Sequence, residues 1–154
     1  MIEVLIALII IATALLGTAG LQVYAMRMTK GGEFRTQAVF LAADIGERME
    51  ANKLGAVAGS YSVSASSAPH AASSDCGSSA CSSSALADWD IAQWESAIAS
   101  SGMPQANWLI QQTGVGNPAT YRITINWTDR GSTASARSET FSYVSTRVIG
   151  LPES

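Results

Sequence analysis

The sequence predicts an α+β protein in which a long N-terminal helix packs its second half on a small antiparallel β-sheet. Three observations predict it. No charged residue occurs from Val4 to Met26. Phe34, Ala38, Leu41, Ile45 and Met49 then recur at spacings of four and three, the pattern of a helix with one apolar stripe. Toward the C-terminus Tyr121, Ile123, Ile125 and Trp127 alternate with Arg122, Thr124, Asn126 and Thr128, the period-two signature of a strand with one buried face. Helix and antiparallel sheet in separate stretches of chain make an α+β domain.

Residues 1–26 form the membrane-spanning part of the helix. At 1.5 Å per residue, about 23 apolar helical residues reach roughly 34 Å, enough to cross a hydrocarbon core with some tilt. Glu3 stands at the mouth of this run, and a carboxylate at such a place is costly unless it has a use. The run is not a secretory signal, because no Lys or Arg precedes it and an acid sits where a base is expected. Arg27, Lys30 and Arg35 follow it. Taken literally, that asymmetry would leave the C-terminal side in the cytoplasm. The two cysteines argue for the opposite side. A basic leader ahead of Met1 would remove the conflict.

Residues 27–53 are the amphipathic half. Arg35, Gln37, Asp44, Glu47, Arg48 and Glu50 lie off the apolar stripe. The pattern predicts one helix from about Ile2 to Lys53, roughly 75 Å at 1.5 Å per residue, ended by Gly55. Gly17 and Gly20 suit close packing between membrane helices. Gly31 and Gly32 mark a point of bending or local melting, since Gly costs about 1 kcal/mol relative to Ala inside a helix.

Residues 54–85 are a Ser/Ala/Gly-rich loop with few large side chains. Such a stretch buries too little apolar surface to offset its ordering entropy. Cys76 and Cys81, the only cysteines, lie in it. Two thiols this close in a loop oxidise readily outside the cytoplasm. Closing so short a loop contributes about 2 kcal/mol in the chain-entropy model, so the bond shapes the loop more than it holds the domain.

Residues 86–154 carry a helix and the sheet. Ala87, Ile91, Trp94 and Ile98 share a helical face, with Ser84 placed to cap the start and Gly102 and Pro104 to mark the stop. Strands follow at 107–112, 119–128 and 140–148, with a turn at Asp129-Arg130-Gly131. The expected sheet has three or four strands. Trp94 and Trp127 belong to its core, while Trp89 and Trp108 are candidates for partial exposure at a subunit contact.

Composition excludes several functions. A net charge near −3 with no basic stripe argues against nucleic acid as a partner. Zinc sites normally take four ligands, and two cysteines with the one histidine, His70, fall short, so no metal and no cofactor are expected. The serines of the loop lack a base in a rigid frame, which a nucleophile needs, so no catalytic residue is assigned. Asp88, Asp90 and Glu95 read as a solvated helix face, too few oxygen ligands for calcium.

Glu3 followed by Val-Leu-Ile-Ala-Leu resembles the N-terminus of type IV pilins and pseudopilins, where a leader ending in Gly precedes Phe, a few residues, Glu and a long hydrophobic run. Met1-Ile2-Glu3 matches the stretch just inside the processed end. Within that family the chain looks most like the minor pilins of the PilV group. Gln22, Arg27, Asp44-Ile-Gly-Glu-Arg-Met-Glu50-Ala-Asn52, the cysteine pair, Asp90-Ile-Ala-Gln-Trp94 and Tyr121-Arg-Ile-Thr-Ile-Asn-Trp127-Thr-Asp129 carry that likeness. The resemblance implies the type IV pilin fold and a non-enzymatic role: a single-pass bacterial inner-membrane protein with a periplasmic C-terminal domain, later part of a pilus tip. It implies cleavage and N-methylation by a prepilin peptidase. It also implies other minor pilins, a major pilin and a tip adhesin as partners in a complex that primes assembly. Glu3 would pair with the N-terminal amine of a neighbouring subunit and set axial register. A type II secretion pseudopilin is the close alternative, and a membrane-tethered periplasmic binding protein the more distant one.

Overall fold

The structure, a computed structural model, describes residues 2–130 and 138–152. Its elements are α1 (Ile2–Ala51), α2 (Lys53–Val57), β1 (Val63–Ser66), α3 (Ser83–Ser100), β2 (Asn107–Gly114), β3 (Ala119–Arg130) and β4 (Ser138–Ile149). The chain divides into two compact units, Met1–Phe34 and Arg35–Ser154.

The first unit is helix. Its large apolar side chains, from Ile2 through Leu5, Ile10, Leu16 and Leu21 to Met28, are exposed. Its threonine hydroxyls bond to their own backbone: Thr13 to the carbonyls of Ile9 and Ile10 at 3.0 and 2.9 Å, Thr18 to Leu15 at 2.9 Å. Satisfied internally, they leave an apolar surface, as a helix in lipid requires. The backbone stays helical through Gly31 and Gly32, so the local melting expected there does not occur.

In the second unit the α1 stripe buries Ala38, Ala42, Ile45 and Met49. Leu41, predicted on the stripe, is only half-buried; Ala42 takes the central place, because steps of four, three and four track the 3.6-residue turn more closely. Small residues here let neighbouring elements come close. A Cβ on Gly46 would stand 2.6 Å from Nε of Arg147 on β4.

The long helix stops sooner than predicted, at Ala51. Asn52 leaves helical geometry (φ −114°, ψ 58°) and its side chain accepts from the Gly55 N–H, starting α2. Asparagine competes for backbone donors in this way and favours caps over helix interiors. Gly55 therefore does not end the helix; it lies inside α2. A Cβ there would meet Asn52 Nδ2 at 2.6 Å and the Ser83 carbonyl oxygen at 2.7 Å.

The sheet is antiparallel with order β1-β2-β3-β4. Trp108 pairs Ile125, Ile110 pairs Ile123, and Ile125 pairs Tyr143. One face buries Trp108, Ile110, Tyr121, Ile123, Ile125, Trp127 and Ile149. Trp127 stacks on Phe141 with centroids 6.1 Å apart. Asp129 and Arg130, predicted in a turn, extend β3 and pair with Glu139 and Ser138. Gly131, the rest of that predicted turn, lies outside the described residues.

Residues 54–85 hold more structure than their composition suggested. They include most of α2 and all of β1, whose Val63 pairs Ile110, and they bury Ala56 and Tyr61 completely. The α3 cap is Ser82, which accepts from the Ala85 N–H, not Ser84.

Candidate functional site

Two parts of the chain carry functional potential, and each belongs to one unit. The first is the exposed apolar helix with Glu3 in its first turn. An acid there faces the positive end of the helix dipole. No basic residue lies between Glu3 and Arg27, so Glu3 has no ion-pair partner three or four positions ahead of it on the helix. The helix reaches the length and apolarity of a membrane span. Gly17 and Gly20 have open space around the position of a Cβ.

The second part is a polar seam where the 67–82 segment meets α3. Cys76 and Cys81 are joined by a disulfide with Cα atoms 5.6 Å apart. The loop it closes is organised on Asp75, whose carboxylate accepts from the Gly77 N–H at 3.0 Å and the Ser78 hydroxyl at 2.9 Å. Cys81 directly precedes Ser82, so the bond holds the chain as it enters the α3 cap.

Upstream of the disulfide, His70 lies against α3. Its backbone N–H donates to Glu95 Oε2 at 2.9 Å, its Nδ1 lies 2.7 Å from the same oxygen, and its Nε2 lies 3.1 Å from Asp88 Oδ1. The other oxygen of Asp88 accepts from both the N–H and the hydroxyl of Ser73, each at 2.7 Å. The other oxygen of Glu95 accepts from the Trp108 indole N–H at 2.8 Å. The hydrogen bond to Glu95 raises the His70 pKa above its ordinary value, with Asp88 adding to the effect. The Ser73 backbone N–H, then its hydroxyl, hold the Asp88 carboxyl below the usual carboxylate range.

Three sequence expectations are corrected here. Asp90 and Glu95 are not a solvated face, since they are 8% and 2% exposed. Asp90 accepts from the Tyr61 hydroxyl at 2.6 Å and from Arg48 Nη1 at 3.4 Å. His70 has a rigid frame, supplied by α3. Trp108 is fully buried, not partly exposed, because its N–H has a carboxylate to meet. Trp94 and Trp127 are buried as predicted, and Trp89 is half-buried. No periodicity signals these contacts: His70 and Glu95 lie 25 positions apart.

The Ser73 hydroxyl donates to Asp88 rather than to His70. Among the described residues no group of three or more His, Cys, Asp or Glu side chains converges as metal ligands do.

Residues 20–92 match the family model Tt1218-like, described as type IV pilin Tt1218. The match runs from the end of the apolar stretch through the amphipathic half of α1, the disulfide segment and the first half of α3. It supports a place among type IV pilins, and the long N-terminal helix with a four-stranded antiparallel sheet agrees with the α+β pilin fold. No curated protein and no solved structure matches the chain.

Proposed function

We propose that this chain is a minor pilin of a type IV pilus, in the PilV group, and that it acts in an inner-membrane complex that primes assembly and stays at the pilus tip. The observation that carries the reading is the helix of residues 2–26: uncharged from Val4 to Met26, with its large apolar side chains exposed, and headed by one acid. In the membrane, lipid covers it. In a filament, other such helices replace the lipid.

That exchange is roughly neutral for apolar surface, since lipid tails and aliphatic side chains are alike. Direction and register must come from a polar term. A carboxylate in a helical bundle stays costly unless a cation meets it, and removing one partner of a buried pair costs about 3–5 kcal/mol. A neighbouring subunit's N-terminal amine is the cation of matching depth. The C-terminal domain, with its disulfide, belongs on the oxidising, periplasmic side and supplies lateral contacts to other minor pilins, the major pilin or a tip adhesin. A prepilin peptidase is the processing enzyme. The protein performs no reaction itself.

Glu3→Ala tests this. The variant is expected to insert in the inner membrane at the wild-type level, yet to fall at least tenfold in sheared pili, the change that about 1.4 kcal/mol produces. Measurement is by immunoblot of membrane and pilus fractions. Wild-type incorporation of the variant would remove the pairing role. Absence of the wild-type protein from both pili and their membrane-stage assemblies would remove the pilin reading itself.

A further inference from the structure

From the geometry around His70 we infer a pH-sensitive clasp: the charged imidazole holds the disulfide-bearing segment on α3, and the neutral ring releases it. The argument rests on which atoms face each other. Nδ1 lies 2.7 Å from Glu95 Oε2 and Nε2 lies 3.1 Å from Asp88 Oδ1. Both oxygens are acceptors. A neutral imidazole carries one N–H and one lone pair, so one of the two contacts would set a lone pair against a carboxylate oxygen; only the imidazolium donates at both ends. The clasp spans two turns of α3, and His70 is the one cationic partner of Asp88 and Glu95 among the described residues.

Other charged groups nearby are committed elsewhere. Asp90, on the same helix, faces Tyr61 and Arg48. Asp75, on the same segment, faces Gly77 and Ser78. From β2 the contribution is Trp108, which bonds Glu95 Oε1 and does not titrate. When the ring discharges and the segment lifts, Glu95 keeps its bond to β2, and the bonds from the His70 and Ser73 amides are given up with the segment.

Glu95 is buried and His70 is exposed. Discharge leaves a carboxylate in a dry place without its counter-charge, which is unfavourable, and water relieves it most readily by entering at the exposed imidazole. The His70 pKa is raised from 6.5, with the Glu95 hydrogen bond as the largest cause. A group whose folded-state pKa is raised contributes fully below its unfolded value and loses that contribution as pH climbs through the folded value. The clasp is thus closed in mild acid and opens on the alkaline side of the ring's titration. What it frees is the surface of residues 67–82, disulfide included.

The chain has a single histidine, so its ring resonances are unambiguous. The full chain in detergent micelles is to be followed by NMR titration of the imidazole. Amide exchange at His70 and Ser73 is measured alongside, corrected for the intrinsic pH dependence of exchange. The expected result is a ring that titrates above 6.5, with protection at both amides falling at least tenfold across the titration while Ile91 and Ile98 in α3 keep theirs. His70→Gln should show the unprotected level at every pH. Should that variant fail to fold, Asp88→Asn should lower the ring's midpoint. A midpoint at or below 6.5, protection that ignores the titration, or an unmoved midpoint in Asp88→Asn would each overturn the clasp. None of these readouts depends on pilus assembly.

Discussion

The indole N–H of Trp94 donates to the main-chain carbonyl of Leu41 at 2.8 Å, across 53 positions of sequence. Trp94 is fully buried on α3 and meets Trp108 of β2 edge-on, with centroids 6.5 Å apart. One side chain thereby joins the amphipathic half of α1, α3 and the sheet. Trp94→Phe removes the donor and part of the buried ring. A net hydrogen bond is worth about 1 kcal/mol, and the lost apolar area about as much again. We expect a destabilisation of about 2 kcal/mol in urea unfolding of the chain in micelles, with the slope unchanged. A midpoint equal to wild type would mean the junction carries no load.

Tyr61 and Tyr121 supply a second prediction. Burial raises the pKa of both; for Tyr61 the hydrogen bond to Asp90 adds to it. Tyr121 donates to the Ala56 carbonyl at 2.6 Å. With raised folded-state values, their contribution is complete below the ordinary value of 10.0 and is lost as pH climbs beyond it. The protein should therefore lose stability above about pH 10, and phenolate absorbance from these two residues should appear together with unfolding. Tyr61→Phe should remove one phenolate from that cooperative step. Full ionisation of both tyrosines in a chain that retains its native circular dichroism would contradict this.

Gly55→Ala reverses a familiar sign. In an open helical site Ala is favoured over Gly by about 1 kcal/mol. At Gly55 the added carbon would lie 2.6 Å from Asn52 Nδ2 and 2.7 Å from the Ser83 carbonyl oxygen, two atoms that bond each other at 2.7 Å. The methyl group must displace that bond. We expect a loss of about 1–3 kcal/mol, the range for overpacking and for an unpaired buried polar group. Thermal unfolding of the variant measures it, and an unchanged or higher midpoint would show that the α2 turn has slack.

The helices and long strands were readable because their signals are local. Ile45 and Met49 announce a helical face by their spacing, and Tyr121 to Trp127 announce a strand by alternation. The α3 cap was misplaced by two residues because Ser82, Ser83 and Ser84 are chemically identical; what selects Ser82 is its reach to the Ala85 N–H. Strand β1 was not legible. Its four residues, Val63–Ser66, include one large apolar side chain, and pairing with β2 makes it a strand.

The acids on α3 were misread for the same kind of reason. Nothing near Glu95 in sequence reveals that Trp108 and His70 will close over it, 13 and 25 positions away, or that Asp90 will meet Arg48 from 42 positions away. The apolar N-terminal helix, its leading Glu3, the amphipathic continuation and the alternation of β3 were determined by the sequence alone, since each depends on the geometry of a single element. Which carboxylates are buried, which serine caps and which loop is pinned were decided by the tertiary structure. A polar group takes its energy from the partner it finds and the water it loses, and both are set by residues far along the chain.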